Sequence, residues 1–168
     1  MTTKRLALCA VLTALALGLS TLENLFPVSL LVPLPGVKLG LANIVTVFAL
    51  YELGAVPALI ILAARCLLGS LFAGNASALI FSLMGGVLAM LVMIGLKRIS
   101  ALSIYGVSIG GAAAHNIGQI GAAMITLGNT MVLGYLPLLL GVSLFTGALT
   151  GFVSALLFRA MKNVKLEN

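Results

Sequence analysis

The residues of this sequence that could do chemistry are polar side chains inside long apolar segments. Arg65 lies in one such segment, and His115, Asn116 and Gln119 lie in another. An ionisable group in the hydrocarbon of a bilayer costs at least about 2.5–3.5 kcal/mol, so each needs a reason to be there. Nine residues are therefore candidates for binding a substrate: Glu23, Asn24, Lys38, Asn43, Arg65, Asn75, His115, Asn116 and Gln119.

The charge balance among these candidates favours an anionic ligand. Lys38 and Arg65 face one nearby acid, Glu23, because the sequence has no aspartate and Glu52 falls at the opposite end of its segment. Guanidinium and ammonium groups bind carboxylates and phosphates. Two other interpretations stay open: salt bridges from these cations to Glu23, and a buried hydrogen-bond network around His115.

A second pattern indicates a pocket in the segment that carries His115. His115 and Gln119 are four residues apart and would share a helix face with Ser108 and Gly111. The small residues would leave space beside the polar ones.

Missing residues argue against several catalytic chemistries. The sequence lacks a GxxxxGK[ST] loop for ATP, and without aspartate it has no acid cluster to hold Mg²⁺ for prenyl diphosphate ionisation. A lone histidine supplies neither a conventional triad nor a zinc site, although a Ser/His dyad across helices stays open. We therefore expect binding and transport rather than catalysis, with no metal and no cofactor.

The composition predicts one integral membrane domain across residues 1–168. The sequence is 62% hydrophobic and 7% charged, whereas soluble domains carry about 25% charged residues. The net charge of +6 comes mainly from cations that flank apolar segments, which indicates membrane orientation and not nucleic-acid binding. These cations are Lys4, Arg5, Lys97, Arg98, Arg159, Lys162 and Lys165.

Hydropathy divides the chain into six expected membrane-spanning helices. They cover residues 4–21, 38–53, 55–72, 76–96, 101–127 and 135–161. An even number of spans places both termini and the Lys97–Arg98 turn on the cytoplasmic side, as the positive-inside rule requires. The first segment also has features of a secretory signal, but counting it as a retained helix gives this agreement. The nine candidates then fall in the outer half.

The connection between the first two segments differs from the other loops. It contains Pro27, Pro33 and Pro35, and most of the residues between them are apolar. Proline breaks helices, so we expect an extended or re-entrant cap on the outer face.

Three strings carry a family resemblance over nearly the whole chain: PGVKLGLAN at residues 35–43, GVSIGG at 106–111 and HNIGQ at 115–119. With them the sequence resembles the Gx transporter family, also catalogued as membrane-type heptaprenyl diphosphate synthase component I. That family is similar in fold to the S-components of energy-coupling factor (ECF) transporters.

The resemblance implies an all-α, six-helix bundle in the cytoplasmic membrane that binds a small-molecule substrate. Its implied partners are a coupling transmembrane subunit and ATPases. Ala10 and Ala14 match the AxxxA pattern that contacts the coupling subunit, and the proline-rich loop corresponds to the loop that caps the substrate. The alternative is a non-catalytic membrane accessory of isoprenoid or quinone biosynthesis that binds a prenyl diphosphate and a soluble synthase. A third hypothesis is a purely structural bundle.

Overall fold

A computed structural model describes residues 3–23 and 38–161 of the chain. In these ranges the chain forms six α-helices, one short 3₁₀ helix and no strand. The α-helices are α1 (Thr3–Glu23), α2 (Asn43–Glu52), α3 (Ala55–Ala73), α4 (Ala76–Lys97), α5 (Ile104–Leu127) and α6 (Leu136–Met161). The 3₁₀ helix, Thr130–Tyr135, precedes α6. The expected all-helical membrane-type bundle is thus confirmed, and each of the six expected segments contains a helix.

The turns between α3, α4, α5 and α6 follow from local sequence. Gly74 and Gly128 end α3 and α5 in the left-handed conformation, both with φ of +60°, which glycine adopts without steric cost. The side chains of Asn75 and Asn129 then accept hydrogen bonds from the first turns of the next helices. Ser103 caps α5 in the same way, so α5 begins at Ile104 and not at the predicted Ala101.

Four segments are long and apolar enough to cross a membrane: α1, α3, α4 and residues 130–160. α2 has only 10 residues, or about 15 Å of helix against a hydrocarbon core of about 30 Å. It begins at Asn43 and not at the predicted Lys38, because Gly40, with φ of +85°, interrupts the helix before it. α5 has 24 residues, but His115, Asn116, Gln119 and its glycines make it less apolar.

α2 is the centre of the bundle. Residues 43–50 are all buried, and the helix contacts α1, α3, α4 and α6. Around it, α1 packs on α3, α3 on α4, α4 on α5, and α5 on α6. The short helix is therefore surrounded by longer ones, and its first turn lies in the interior of the protein.

Glycines bring α4, α5 and α6 close together. A Cβ at Gly118 of α5 would lie 2.5 Å from the backbone oxygen of Met84 in α4. A Cβ at Gly147 of α6 would lie 2.5 Å from the Cα of Ile109 in α5. At both positions the obstacle is backbone, so no side chain larger than a hydrogen fits without moving a helix.

Helices that follow one another in the chain run in opposite directions, so the bundle has two distinct ends. At one end Lys97 of α4 donates to the backbone oxygen of Leu50 at 2.8 Å, and Phe158 of α6 packs on Phe48 with ring centroids 5.2 Å apart. The first residues of α1 lie at this end too, because of the direction of that helix, and we call it the basic end. The other end, where α1 finishes and α2 begins, is called the polar end.

Candidate functional site

Glu23 joins α1 to the segment that enters α2. It is the last residue of α1 and only 2% exposed, and its carboxylate accepts a hydrogen bond from the Gly40 backbone N–H. A Cβ at Gly40 would lie 3.0 Å from Asn43 Nδ2 and 3.4 Å from His115 Cδ2. With its positive φ, this position requires glycine for both conformation and space.

Arg65 and Asn43 connect α3 to the first turn of α2. Arg65 is 8% exposed, and its Nη2 donates to Asn43 Oδ1 at 3.1 Å. Its Nε–H has no hydrogen-bond partner among the described residues. A buried guanidinium with a free donor is a costly arrangement unless another acceptor completes it.

His115 and Gln119 face the segment before α2 from α5. Their Nε2 atoms lie 3.1 Å apart, and the contacts fit better when the Gln119 amide is turned so that its oxygen faces the donors. In that orientation the oxygen accepts from the Lys38 backbone N–H at 3.0 Å and from His115 Nε2 at 3.1 Å. The Gln119 nitrogen then donates to the Lys38 carbonyl at 3.1 Å, so α5 fixes the backbone of Lys38.

In this orientation the His115 ring donates through Nε2, and its Nδ1 faces Gly85 of α4. Nδ1 is buried and has no partner within the described part of the chain. The ring is held between Gly40 and Gly85, where an added Cβ would lie 3.4 Å and 2.8 Å from ring carbons. His115 is therefore fixed in position by two glycines and one amide.

These residues form one group, which we call the polar cluster: Glu23, Lys38, Gly40, Asn43, Arg65, His115 and Gln119. Lys38 and Arg65 lie close enough for their charges to act on the Glu23 carboxyl. No ion pair involving Lys38 is present among the described residues, and Glu23 bonds to backbone. The cluster thus holds two cations and one acid.

The structure brings together six of the nine residues predicted from sequence. Asn24 lies outside the described residues. Asn75 is exposed at the start of α4, where its side-chain oxygen accepts from Ser77 N–H at 2.9 Å. Asn116 is buried, and its Nδ2 donates to the Leu139 carbonyl of α6 at 2.7 Å. These two amides serve helix ends and helix pairing.

Two cavities adjoin the polar cluster between α1, α3 and α4, and both are lined by Ser20, Lys38 and Gly69. The smaller has a volume of about 20 Å³, and the larger has about 130 Å³. The smaller is also lined by Arg65, Cys66, Ser70, Ala78 and Ser82. The larger is also lined by Leu17, Thr21, Phe72 and Ala73. Sequence reasoning missed the serines and Cys66, since such residues are too common in apolar helices to give a signal.

The expectation of free space beside Gly111 is wrong. A Cβ at Gly111 would lie 2.6 Å from Cγ and Sδ of Met93 in α4. The long methionine side chain fills the volume that the small residues of α5 leave open. The cavities that adjoin the cluster lie instead on its α1–α3 side.

The two alanines predicted to contact a partner lie on the outside of α1. Ala10 and Ala14 are exposed, while Cys9, Leu12, Thr13 and Ala16 of the same helix are buried. Both alanines are therefore available to lipid or to another protein.

The site does not have the ligands of a metal centre. Within residues 3–23 and 38–161, no three His, Cys, Asp or Glu side chains form a group that could hold a metal ion. Glu52, the other acid among the described residues, lies at the end of α2, far from the cluster.

Fold and site together define an integral membrane helical protein with a buried, cation-rich polar cluster beside small cavities. The sequence model of the family described as heptaprenyl diphosphate synthase component I matches residues 12–157. The chain belongs to this family, which confirms the family resemblance carried by the PGVKLGLAN and HNIGQ strings. No curated protein and no solved structure matches the chain.

Proposed function

We propose that this protein is the substrate-binding membrane subunit of an importer for a small anionic or amphipathic compound. One observation carries the proposal: the polar cluster contains a buried guanidinium with an unpartnered Nε–H and one more cation than acid. A buried cation is stable when an opposite charge pairs with it, and an anionic substrate would supply that charge.

The cluster residues divide the work of binding. Arg65 and Lys38 would pair with the negative charge of the substrate, and His115 would help to orient it. Asn43 and Gln119 orient Arg65 and Lys38 through the hydrogen bonds already described. The proline-rich segment expected to cap the substrate, residues 24–37, lies outside the described residues.

The rest of the molecule would serve energy coupling. We propose that the chain is not an enzyme and borrows ATP hydrolysis from separate ATPases through a coupling transmembrane subunit. The exposed Ala10 and Ala14 offer a flat surface on α1 for that subunit. In this proposal all six helices cross the cytoplasmic membrane, with the polar end outside and both termini inside.

Native mass spectrometry of the detergent-purified protein tests whether a small anion is retained. We expect wild-type protein to carry such a compound, and Arg65→Ala protein to lose at least about 100-fold in affinity, because a buried charge loses its partner. Arg98→Ala, an exposed cation at the basic end, is the matched control and should bind normally. Unchanged affinity in a folded Arg65→Ala protein would contradict the proposal.

The name of the family favours a second candidate function, a non-catalytic membrane accessory of heptaprenyl diphosphate synthesis. Such an accessory would bind a prenyl diphosphate and a soluble synthase. Co-purification from native membranes separates the two candidates. ATPase and coupling subunits retained with the wild type but lost with Ala10→Leu/Ala14→Leu support the importer, and a retained prenyl synthase supports the accessory.

A further inference from the structure

The two cavities beside Lys38 differ in chemistry, and the difference indicates what kind of molecule would fill them. The smaller is lined by the two cations and by Ser20, Ser70 and Ser82. The larger adds the apolar side chains Leu17 and Phe72. A ligand that occupies both would place a charged polar group against Arg65 and an apolar group between α1 and α3.

From this geometry we propose that the site takes a small amphipathic monoanion, a short or aromatic monocarboxylate, with its carboxylate at Arg65 and Lys38 and its apolar part between Leu17, Gly69 and Phe72. The inference rests on the proposed function and specifies its substrate class. It assigns a binding role to Ser20, Ser82 and Gly69, which neither the sequence patterns nor the family description indicates.

Charge and donor geometry support a single carboxylate. Arg65, Lys38 and Glu23 together carry a formal charge of +1, which one negative charge neutralises. Arg65 lines the smaller cavity, so a carboxylate there can accept from its guanidinium while its second oxygen reaches a serine hydroxyl or Lys38. A diphosphate would bring more negative charge than the cluster neutralises.

Size sets a limit on the apolar part. The larger cavity, about 130 Å³, is similar to an engineered apolar cavity of about 150 Å³ that binds benzene. The smaller, about 20 Å³, has room for roughly one water-sized group. A carboxylate oxygen fits the smaller cavity, and an aromatic ring or a chain of about four to six carbons fits the larger. A long prenyl chain does not fit.

Titration calorimetry in phosphatidylcholine nanodiscs tests the proposal with straight-chain carboxylates from acetate to octanoate and with benzoate. We expect affinity to rise about fourfold with each methylene until the cavity is full, and then to fall. Benzamide, which lacks the charge, should bind at least about tenfold more weakly than benzoate.

A matched pair of glycine variants tests the location. A Cβ at Gly69 would lie 3.6 Å from Leu17 Cδ2, an ordinary contact, whereas a Cβ at Gly95 of α4 meets nothing within 4 Å. Both Gly69→Ala and Gly95→Ala should therefore fold. Only Gly69→Ala, which narrows the cavity, should shift the preferred chain length down by about one methylene. An equal shift in both variants, or in neither, would overturn the proposed location.

Two further outcomes would overturn the proposal in different ways. If carboxylates fail to bind and phosphatidylglycerol binds instead, the site holds a lipid headgroup. Tighter binding of a prenyl diphosphate than of any carboxylate would support the accessory function. If carboxylates fail but another anion is retained through Arg65, the proposed importer stands and only this substrate assignment is lost.

Discussion

His115 shows how single residues set the geometry of the polar cluster. Its ring lies between Gly40 and Gly85, and its Nε2 is fixed by Gln119. Neither glycine contributes a polar side chain, yet both decide where the imidazole can lie. A histidine in an apolar helix is often only a buried hydrogen-bonding group, but this one keeps a free ring nitrogen beside two cations.

At this scale we expect Gly85→Ala to damage the site. A Cβ there would lie 2.9 Å from His115 Nδ1 and 3.1 Å from the His115 backbone oxygen, so the ring and α5 would have to move. We expect a loss of about 1–3 kcal/mol in the free energy of unfolding, with weaker anion binding. The apparent melting temperature in detergent and calorimetry measure the two effects.

The control for this variant lies ten residues further along the same helix. Gly95→Ala adds the same methyl group where no atom lies within 4 Å. Alanine is more favourable than glycine inside a helix by about 1 kcal/mol, so the control should be as stable as wild type or more so. Equal melting temperatures for the two variants would contradict the role given to Gly85.

Among the elements, α2 depends most on its neighbours. A helix of 10 residues is marginal by itself, and its stability comes from burial among longer helices. The C-terminus of α2, at the basic end, is held by Lys97. The Lys97 Nζ donates to the Leu50 carbonyl and lies 4.6 Å from the centroid of the Tyr51 ring. The beginning of α2 is held by Arg65 through Asn43.

We expect Lys97→Met to loosen the end of α2 without changing the polar cluster. The variant removes a hydrogen bond to a helix-end carbonyl and a cation–π contact, together worth about 1 kcal/mol at a partly exposed position. Thermal unfolding in detergent should show the loss, while anion affinity should stay within about twofold of wild type. Arg98→Met, the neighbouring exposed cation, is the control and should melt as wild type does.

In the whole molecule, the direction of the helices places most of the described cations at one end and the polar cluster at the other. The described cations Lys4, Arg5, Lys97, Arg98 and Arg159 lie in the first or last turns at the basic end or directly after them, whereas Lys38 and Arg65 belong to the polar end. From the positive-inside rule we propose that the basic end lies in the cytoplasm. The proposed site would then face outward, as an importer requires.

Labelling of single cysteines with a membrane-impermeant maleimide tests this orientation and the number of spans. In a background without Cys9 and Cys66, we expect Ala76→Cys and Thr130→Cys to react in intact cells. Glu52→Cys and Ser100→Cys should react only after permeabilisation. All four positions are exposed, so access to the outside decides the result.

Each alternative topology gives a different labelling pattern. If α5 does not cross the membrane, Thr130→Cys would behave like Ser100→Cys. If α2 does not cross, Glu52→Cys would label from the outside. Reaction of Ser100→Cys in intact cells, with protection of Ala76→Cys, would reverse the orientation and contradict the importer.

The sequence by itself determined the class of protein and most of its elements. A chain with 62% hydrophobic residues and 7% charged residues can bury its surface only in a membrane-type helical bundle, and glycine, proline and charged positions divide it into six helices. The cost of burying Arg65, His115 and Gln119 also marked them as residues of interest, and the structure brings all three into one cluster.

Only the tertiary structure decided which polar residues meet and where space remains. Asn116 of α5, two positions before Gly118, donates to the Leu139 carbonyl of α6. Its neighbour His115 contacts Gln119 in the polar cluster. Met93 fills the space beside Gly111, and the cavities that adjoin the polar cluster lie on its α1–α3 side instead. These outcomes depend on how side chains from different helices pack together. The spacing of residues within one segment does not predict that packing.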